Sequence, residues 1–271
     1  MTSSTTQIDY PLGVSETEWD RLDAQSNGID NYLGNKVCQE DIGQPRSILE
    51  IGAGSGAWAI RAAKQYPEAD VVAVDMNPLP ARPLPSNLRY QKVNVLEPFP
   101  FPAGSFDVVH IRLVLCHLPD GLEVLSRIID LVAPGGWVLV DEIDWSANFE
   151  GLDKAPGIKG GLSALVHGME AVNGHPHFGK TLKAYLDSSS QLSEIHFEEV
   201  DLPFNPIPDE PRVGGLARTM KSALTRAFGG AAARNPAEEE LQRAFIDEIN
   251  RDGLDWQYSC QLYFAWAKKR A

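Results

Sequence analysis

Apolar residues recur along this chain with two different periods, and the change from one to the other sets the architecture. Between residues 15 and 40, Trp19, Leu22, Ile29, Leu33 and Val37 return at spacings of three, seven and four. That spacing predicts helix, with Asn27-Gly28 as the place where it breaks into two pieces. From Ser47 the apolar runs shorten: Ile48-Leu49-Glu50-Ile51, Val71-Val72-Ala73-Val74, Phe106-Asp107-Val108-Val109 and Trp137-Val138-Leu139-Val140. Such runs, rich in β-branched side chains, suit strands buried on both faces, as a parallel sheet requires. Helices are predicted between them at 57–66 and 121–132. The second has Asp120 as its cap with Glu123 three residues on, a capping box. Leu122, Leu125, Ile129 and Val132 form its apolar stripe, and Ala133-Pro134-Gly135-Gly136 ends it. Strand and helix alternate from 47 to 143, which predicts an open, doubly wound α/β sheet. After Trp145 the rhythm loosens into helices at about 160–172, 178–190, 212–228 and 236–251, one strand near 196–203 and an aromatic closing strand from Trp256.

Charge narrows the partners. The 271 residues carry 24 Lys and Arg against 37 Asp and Glu, a net charge of −13, with no basic cluster. A surface of that sign repels nucleic acid and anionic membranes. No apolar run reaches the length of a membrane span, and the polar start from Met1 to Gln7 lacks the apolar stretch of a signal peptide. Cys38, Cys116 and Cys260 are far apart, and His175-Pro176-His177 has no Cys or carboxylate at ligand spacing beside it. No metal is expected, and the composition suits a reduced, cytoplasmic protein.

Candidate chemistry begins at Glu50-Ile51-Gly52-Ala53-Gly54-Ser55-Gly56-Ala57-Trp58. Glycines between a strand and a helix allow a tight turn and close approach of a ligand to the backbone. Gly52, Gly54 and Ala57 also satisfy the dinucleotide fingerprint. Glu50 argues for a different ligand, because a carboxylate there repels a pyrophosphate and attracts an ammonium group. Asp75 closes the next strand about twenty residues later, where an acid accepts both hydroxyls of a ribose. Asn94 and Val95 follow the third strand, and an amide side chain plus a backbone N–H suits the edge of an adenine.

In order and spacing, Glu50 to Gly56, Asp75, Asn94, Phe106-Asp107 and Pro134-Gly135-Gly136 resemble the motifs of class I S-adenosylmethionine-dependent methyltransferases. Asn94 departs from that family's usual Asp. Further features, Glu18-Trp19-Asp20-Arg21-Leu22 with Gln25, Trp58, Tyr66-Pro67, Pro85-Ser86-Asn87, His110-Ile111-Arg112 and Pro134-Gly135-Gly136-Trp137, resemble the LaeA-like methyltransferases of filamentous fungi and their small-molecule-modifying relatives over about residues 16–145. The resemblance implies a Rossmann-like, seven-stranded, mostly parallel sheet of order 3-2-1-4-5-7-6 with the last strand antiparallel, and N-terminal helices folded over the cofactor. One domain over 1–271 then divides into a helical lid at 10–40, a cofactor-binding core at 41–145, helical cap insertions at 146–255 around the sixth strand, and a final strand at 256–269. The cofactor implied is S-adenosyl-L-methionine, held by Gln25, Glu50, Gly52, Ala53, Gly54, Gly56, Asp75, Met76, Asn94, Val95, His110, Ile111 and Arg112.

Methyl transfer from a sulfonium needs both reactants held in line and water excluded, and a base only when the nucleophile is protonated. The rule that sites lie beyond the carboxyl ends of the strands selects His110 to Arg112, His117, and Glu142 to Trp145. His117 is the first candidate for a base, since an imidazole titrates near neutral pH; packing at the start of helix 121–132 is the alternative. Glu142 is the second catalytic candidate, although Glu142 and Asp144 also suit solvated strand-end charges. Arg112 either neutralises the cofactor carboxylate or pairs with Asp107 or Asp120. The acceptor implied is a small organic molecule, a fungal secondary metabolite methylated on oxygen, then nitrogen or sulfur in order of preference. It would sit in an apolar cavity walled by 10–33 and 145–228. Two alternatives stand beside this: a LaeA-like regulator that keeps the cofactor site without turnover, and an NAD-dependent oxidoreductase.

Overall fold

The computed structural model describes residues 15–145, 152–251 and 255–271. Its seven strands are β1 (Ser47–Ile51), β2 (Asp70–Asp75), β3 (Leu88–Lys92), β4 (Phe106–Arg112), β5 (Val132–Asp144), β6 (Leu192–Asn205) and β7 (Tyr258–Lys269). They form one sheet in the order β3-β2-β1-β4-β5-β7-β6. The first five run parallel, and β7 lies antiparallel to both β5 and β6. This is the expected order and the expected direction of the last strand. The β-branched runs are closed from solvent on both faces: Leu49, Ile51, Val72, Val74, Val109 and Ile111 belong to one apolar layer, and Ile48, Val71, Ala73, Val108 and Leu139 to the other.

Among the described residues seven α-helices surround the sheet: α1 (Glu16–Tyr32), α2 (Ala57–Gln65), α3 (Gly121–Leu131), α4 (Pro156–Ala171), α5 (Phe178–Ser188), α6 (Pro211–Gly230) and α7 (Pro236–Ile249). Helix α1 runs unbroken through Asn27-Gly28 from a Ser15 cap and stops at Tyr32, well short of residue 40. Gly28 serves the crossing with α6 instead of a break, since a Cβ there would lie 2.3 Å from Thr219 Cγ2. The capping box of α3 does not form. Asp120 adopts a left-handed backbone (φ +57°), and its side chain accepts nothing from the first turn, because capping needs the extended conformation. Leu122 is exposed, and α3 packs through Val124, Leu125, Ile128, Ile129 and Leu131.

Two strands are longer than their apolar runs. β5 already pairs at Val132 with Phe106, and Pro134-Gly135-Gly136 is an irregularity inside the strand before Trp137 meets Val108. Gly136 lies so close to β4 that a Cβ would be 2.7 Å from the Asp107 carbonyl oxygen. At the sheet edge β6 extends to both sides of the expected segment because β7 pairs with it from Lys269 to Tyr258. Outside the sheet α4 packs on α7 through glycines: a Cβ at Gly157 would lie 2.6 Å from the Ala244 backbone, and at Gly161 2.4 Å from the Phe245 ring. Among the described residues no helix is long and apolar enough to cross a membrane.

Candidate active site

The glycine loop leaves β1 and enters α2 in a backbone that only glycine adopts freely: Gly52, Gly54 and Gly56 have φ of +68°, +54° and +77°. Neighbours also leave no room for side chains. A Cβ on Gly52 would lie 2.4 Å from Val114, on Gly54 3.2 Å from Leu22 of α1, and on Gly56 3.1 Å from Leu79. Asp75, at the end of β2, reaches this loop, its Oδ2 accepting from the Gly54 amide at 2.8 Å and its Oδ1 from the Asn77 amide at 2.8 Å. Burial pushes the Asp75 carboxyl above its ordinary value while the amides of Asn77 and Gly54 oppose that rise. Asn94 lies half-buried after β3, its Oδ1 accepting from the Leu96 amide at 3.1 Å and its amide donating to Glu97 at 3.3 Å. Ala53 and Val95 are buried and Met76 half-buried beside them. The loop thus sits where the chain, having built β2 and β3 on one side of β1, returns to build β4 on the other, the switch point at which ligands bind in open α/β sheets.

Beneath the loop lies a layer of buried charge. Glu50 Oε2 accepts from the Ala59 amide in the first turn of α2 at 2.9 Å, and burial pushes its carboxyl up to about 8. His110 stacks on Trp58 with ring centres 3.8 Å apart. Its Nε2 is 3.4 Å from Asp141 and its Nδ1 is 3.9 Å from Glu50. Arg112 donates through Nε to Asp141 at 2.7 Å and through Nη1 to Asp30 of α1 at 3.2 Å. Arg61 of α2 donates to the same Asp30 through Nε at 2.8 Å. Arg112 therefore pairs with neither Asp107 nor Asp120. Asp107 instead receives the amides of Arg46 and Ser47 at the start of β1, at 2.7 and 3.0 Å. The guanidinium of Arg112 is committed to two carboxylates under α1. Of its neighbours, Ile111 points to the opposite, apolar layer.

The segment after β4 carries the catalytic candidates. Leu113 has φ of +55°, and a 3-10 turn, Leu115–His117, follows. Glu142 is fully buried below this turn, with Oε1 accepting from the amides of Val114 at 3.0 Å and Leu115 at 2.7 Å. Burial raises its carboxyl to about 7 and pushes the thiol of Cys116 beside it well up. His117 is open to solvent at the end of the turn, yet desolvation by the surrounding protein and the charge of Arg21 push its imidazole down to about 4. Arg21 belongs to α1, where it holds Glu18 through two bonds of 2.8 and 2.7 Å and Gln25 at 2.9 Å. Gln25 in turn reaches the sulfur of Met220 on α6 at 3.7 Å. Asp144, like Glu142, is no solvated charge: it is fully buried and pairs with His177 and Lys180 at 3.2 Å each.

The sequence singled out the loop, Asp75, Asn94, His110, Arg112, His117 and Glu142. It missed Asp30, Asp141 and Arg61, which complete the buried layer. The one available signal was Asp30 directly after the core residue Ile29 in a helical run. Among the described residues no group of three His, Cys, Asp or Glu gathers to hold a metal. The walls named for the acceptor cavity include 10–14 and 146–151, outside the described residues. Of the cap residues, Leu162, Met169, Leu216, Met220 and Leu224 are buried in the core, and Val172 is exposed.

A model of the methyltransferase domain family matches residues 32–183. Methyltransferase str2 of Strobilurus tenacellus is 62% identical over 271 residues, which cover 99% of this chain and 98% of that protein. Methyltransferase str3 of the same fungus is 58% identical over 277 residues, covering all of both chains. Among solved structures, the phosphoethanolamine N-methyltransferase 2 of Haemonchus contortus, in complex with phosphomonomethylethanolamine and S-adenosylhomocysteine, shares the fold with a TM-score of 0.52 at 17% identity, over 95% of this chain and 61% of that one.

Proposed function

We propose that this chain, which belongs to the methyltransferase domain family, binds S-adenosylmethionine at its glycine loop and moves the methyl group to a small organic acceptor of fungal secondary metabolism. Oxygen is the first choice of acceptor atom, then nitrogen or sulfur. The enzyme works in the cytoplasm, and its net charge of −13 disfavours nucleic acid as a partner.

The observation that carries the reading is the cradle at 52–56, three glycines at positive φ with the carboxylate of Asp75 bonded to the amide of Gly54. Glycines at positive φ let the backbone turn tightly and approach a nucleoside ligand closely, and Asp75 takes the ribose hydroxyls. Asn94 and the Val95 backbone face the adenine, Met76 supplies apolar contact, and Glu50 faces the ammonium group. When bound there, the cofactor supplies a methyl group already activated on a sulfonium. Helix α1 covers the loop through Leu22, and Gln25 ties that cover to α6, so that water is excluded from the reacting atoms. Arg112 holds α1 down through Asp30, while His110 lies one layer below the ligand. His117, neutral above about pH 4, accepts the proton of an acceptor hydroxyl, and Glu142 acts through the turn it supports rather than by contact with the acceptor.

Calorimetry with S-adenosylhomocysteine and NAD tests this. Micromolar binding of the first and none comparable of the second is expected. Tighter binding of NAD would overturn the reading.

A further inference from the structure

Glu50, His110 and Asp141 lie on three neighbouring strands, Glu50 opposite His110 and Asp141 two residues further along β5, opposite Arg112. The ring of His110 is fully buried with a carboxyl group at each nitrogen: Asp141 at Nε2, 3.4 Å away, and Glu50 at Nδ1, 3.9 Å away. Nδ1 has no hydrogen-bond partner, although it points at a carboxyl a few tenths of an ångström beyond bonding distance. A cavity of about 20 Å³ borders the ring on its Asp141 side, between Cys38, Gln39 and Asp141. The three groups form one buried, titratable unit, bonded at Nε2 and open at Nδ1.

The surrounding charge fixes how many protons the unit holds. From α1 comes Asp30, from α2 Arg61, from β2 Asp75, from β4 Arg112 and from β5 Asp141. Arg61 and Arg112 balance Asp30 and Asp141. Burial therefore favours a neutral Glu50 and a neutral His110 in the free protein, with Glu50 O–H facing the bare Nδ1 and Nε2–H facing Asp141. An ammonium group beside Glu50 changes that balance, because it favours the carboxylate. An ionised Glu50 then opposes the lone pair of Nδ1, and only an imidazolium, donating from both nitrogens, satisfies both carboxylates. The Trp58 face stacked on the ring at 3.8 Å suits a cation there.

We propose that Glu50, His110 and Asp141 form a buried proton relay that charges the cofactor site on demand: the ammonium group of the arriving cofactor draws the proton of Glu50 onto His110 Nδ1. The O–H bond of Glu50 breaks, the N–H bond at Nδ1 forms, no electrons are transferred, and total charge is unchanged. His110 and Asp141 are positioning residues, acting on the cofactor only through Glu50. The inference rests on the assignment of Glu50 to the cofactor ammonium made above.

Nitrogen-15 NMR of the histidine rings tests it in the intact chain, the His110 signals being assigned by their contacts with Trp58. In the free protein at pH 7 His110 should be the neutral Nε2–H tautomer; a free protein with Nδ1–H or an imidazolium would overturn the relay whatever binds. On saturation with S-adenosylhomocysteine, which carries the same ammonium group, His110 should become protonated on both nitrogens; a ring still neutral in the complex overturns the relay while leaving the cofactor assignment intact. Calorimetry in two buffers of different ionisation enthalpy gives an independent reading. The wild type should release no proton on binding, and His110→Gln should release about one, with affinity reduced about tenfold. A whole proton released by the wild type also refutes the relay. In Glu50→Gln the ligand should leave His110 neutral. Absence of any binding of S-adenosylhomocysteine would overturn the functional reading itself, and the relay with it.

Discussion

The half of the molecule around the glycine loop and the half formed by α4, α6 and α7 are held together by different physics. Around the loop, backbone geometry and charge dominate: three glycines at positive φ, a carboxylate bonded to the loop amide, and Asp30 joining α1 to α2 and β4 through Arg61 and Arg112. These contacts have narrow tolerances, because hydrogen bonds and ion pairs closed from water demand full pairing. In the cap, helices meet through small residues and apolar side chains, as at Gly157 and Gly161 against Ala244 and Phe245. Such packing tolerates repacking as long as volume is kept. On the proposed reading, cofactor recognition belongs to the first half and acceptor choice to the second.

The largest expected effect lies where the halves meet, at His117. His117→Ala should lower the rate by roughly 10²–10⁴-fold and leave the affinity for S-adenosylhomocysteine unchanged. Desolvation and the charge of Arg21 lower the imidazole from its ordinary value, so the base is already neutral through the physiological range. The rate should therefore show the step from this group below the ordinary imidazole range and none between pH 6 and 8. A step near 6.5 that vanishes in the variant would show that the free imidazole is not desolvated.

Asp75→Ala comes next. Loss of charge-assisted bonds to the ribose should weaken S-adenosylhomocysteine binding by about 2–4 kcal/mol, read by calorimetry on a folded variant. An unchanged affinity would move the ribose elsewhere and dissolve the contrast. Gly161→Val probes the other half. The new side chain meets the Phe245 ring, a Cβ alone being 2.4 Å away, so overpacking of about 1–3 kcal/mol should lower Tm by roughly 2–10 °C. Affinity for S-adenosylhomocysteine should stay within about threefold while the KM for the acceptor rises; a comparable loss of cofactor affinity would show that the halves are one unit. Arg82→Ala should do least. Arg82 ties the segment after β2 to Asp23 of α1 with bonds of 2.9 and 3.2 Å, but both side chains are partly exposed. The cost to cofactor affinity should be below about 1 kcal/mol and fade in high salt, measured by calorimetry at two ionic strengths.

What was legible in the sequence was local. Runs such as Val71 to Val74 announce a strand because burial on both faces removes any alternation. Gly52, Gly54 and Gly56 announce their loop because no other residue adopts that backbone freely. What was not legible depended on partners far along the chain. Arg112 and Asp30 are 82 residues apart and Glu142 reaches back 28 residues to Val114, so neither pairing leaves a periodic trace. Local rules also failed where tertiary demands were stronger. Asp120 has the composition of a helix cap without its backbone. Pro134-Gly135-Gly136 has the composition of a turn but runs along β4 as part of a strand.

By itself, then, the sequence determined the alternation of strand and helix, the ligand loop between β1 and α2, the acid at the end of β2 and the acidic net charge, because each is a property of neighbouring residues or of simple composition. The resemblance of its motifs supplied the strand order. Only the tertiary structure decided the state of the charges. Glu50, His110 and Arg112 share one face of adjacent strands, yet whether Glu50 and His110 are ionised and what Arg112 pairs with depend on Asp30, Asp141 and Trp58 arriving from other parts of the chain. Burial removes the water that would otherwise set every carboxyl and imidazole to its ordinary value, and in its place the few groups within reach decide which protons are held.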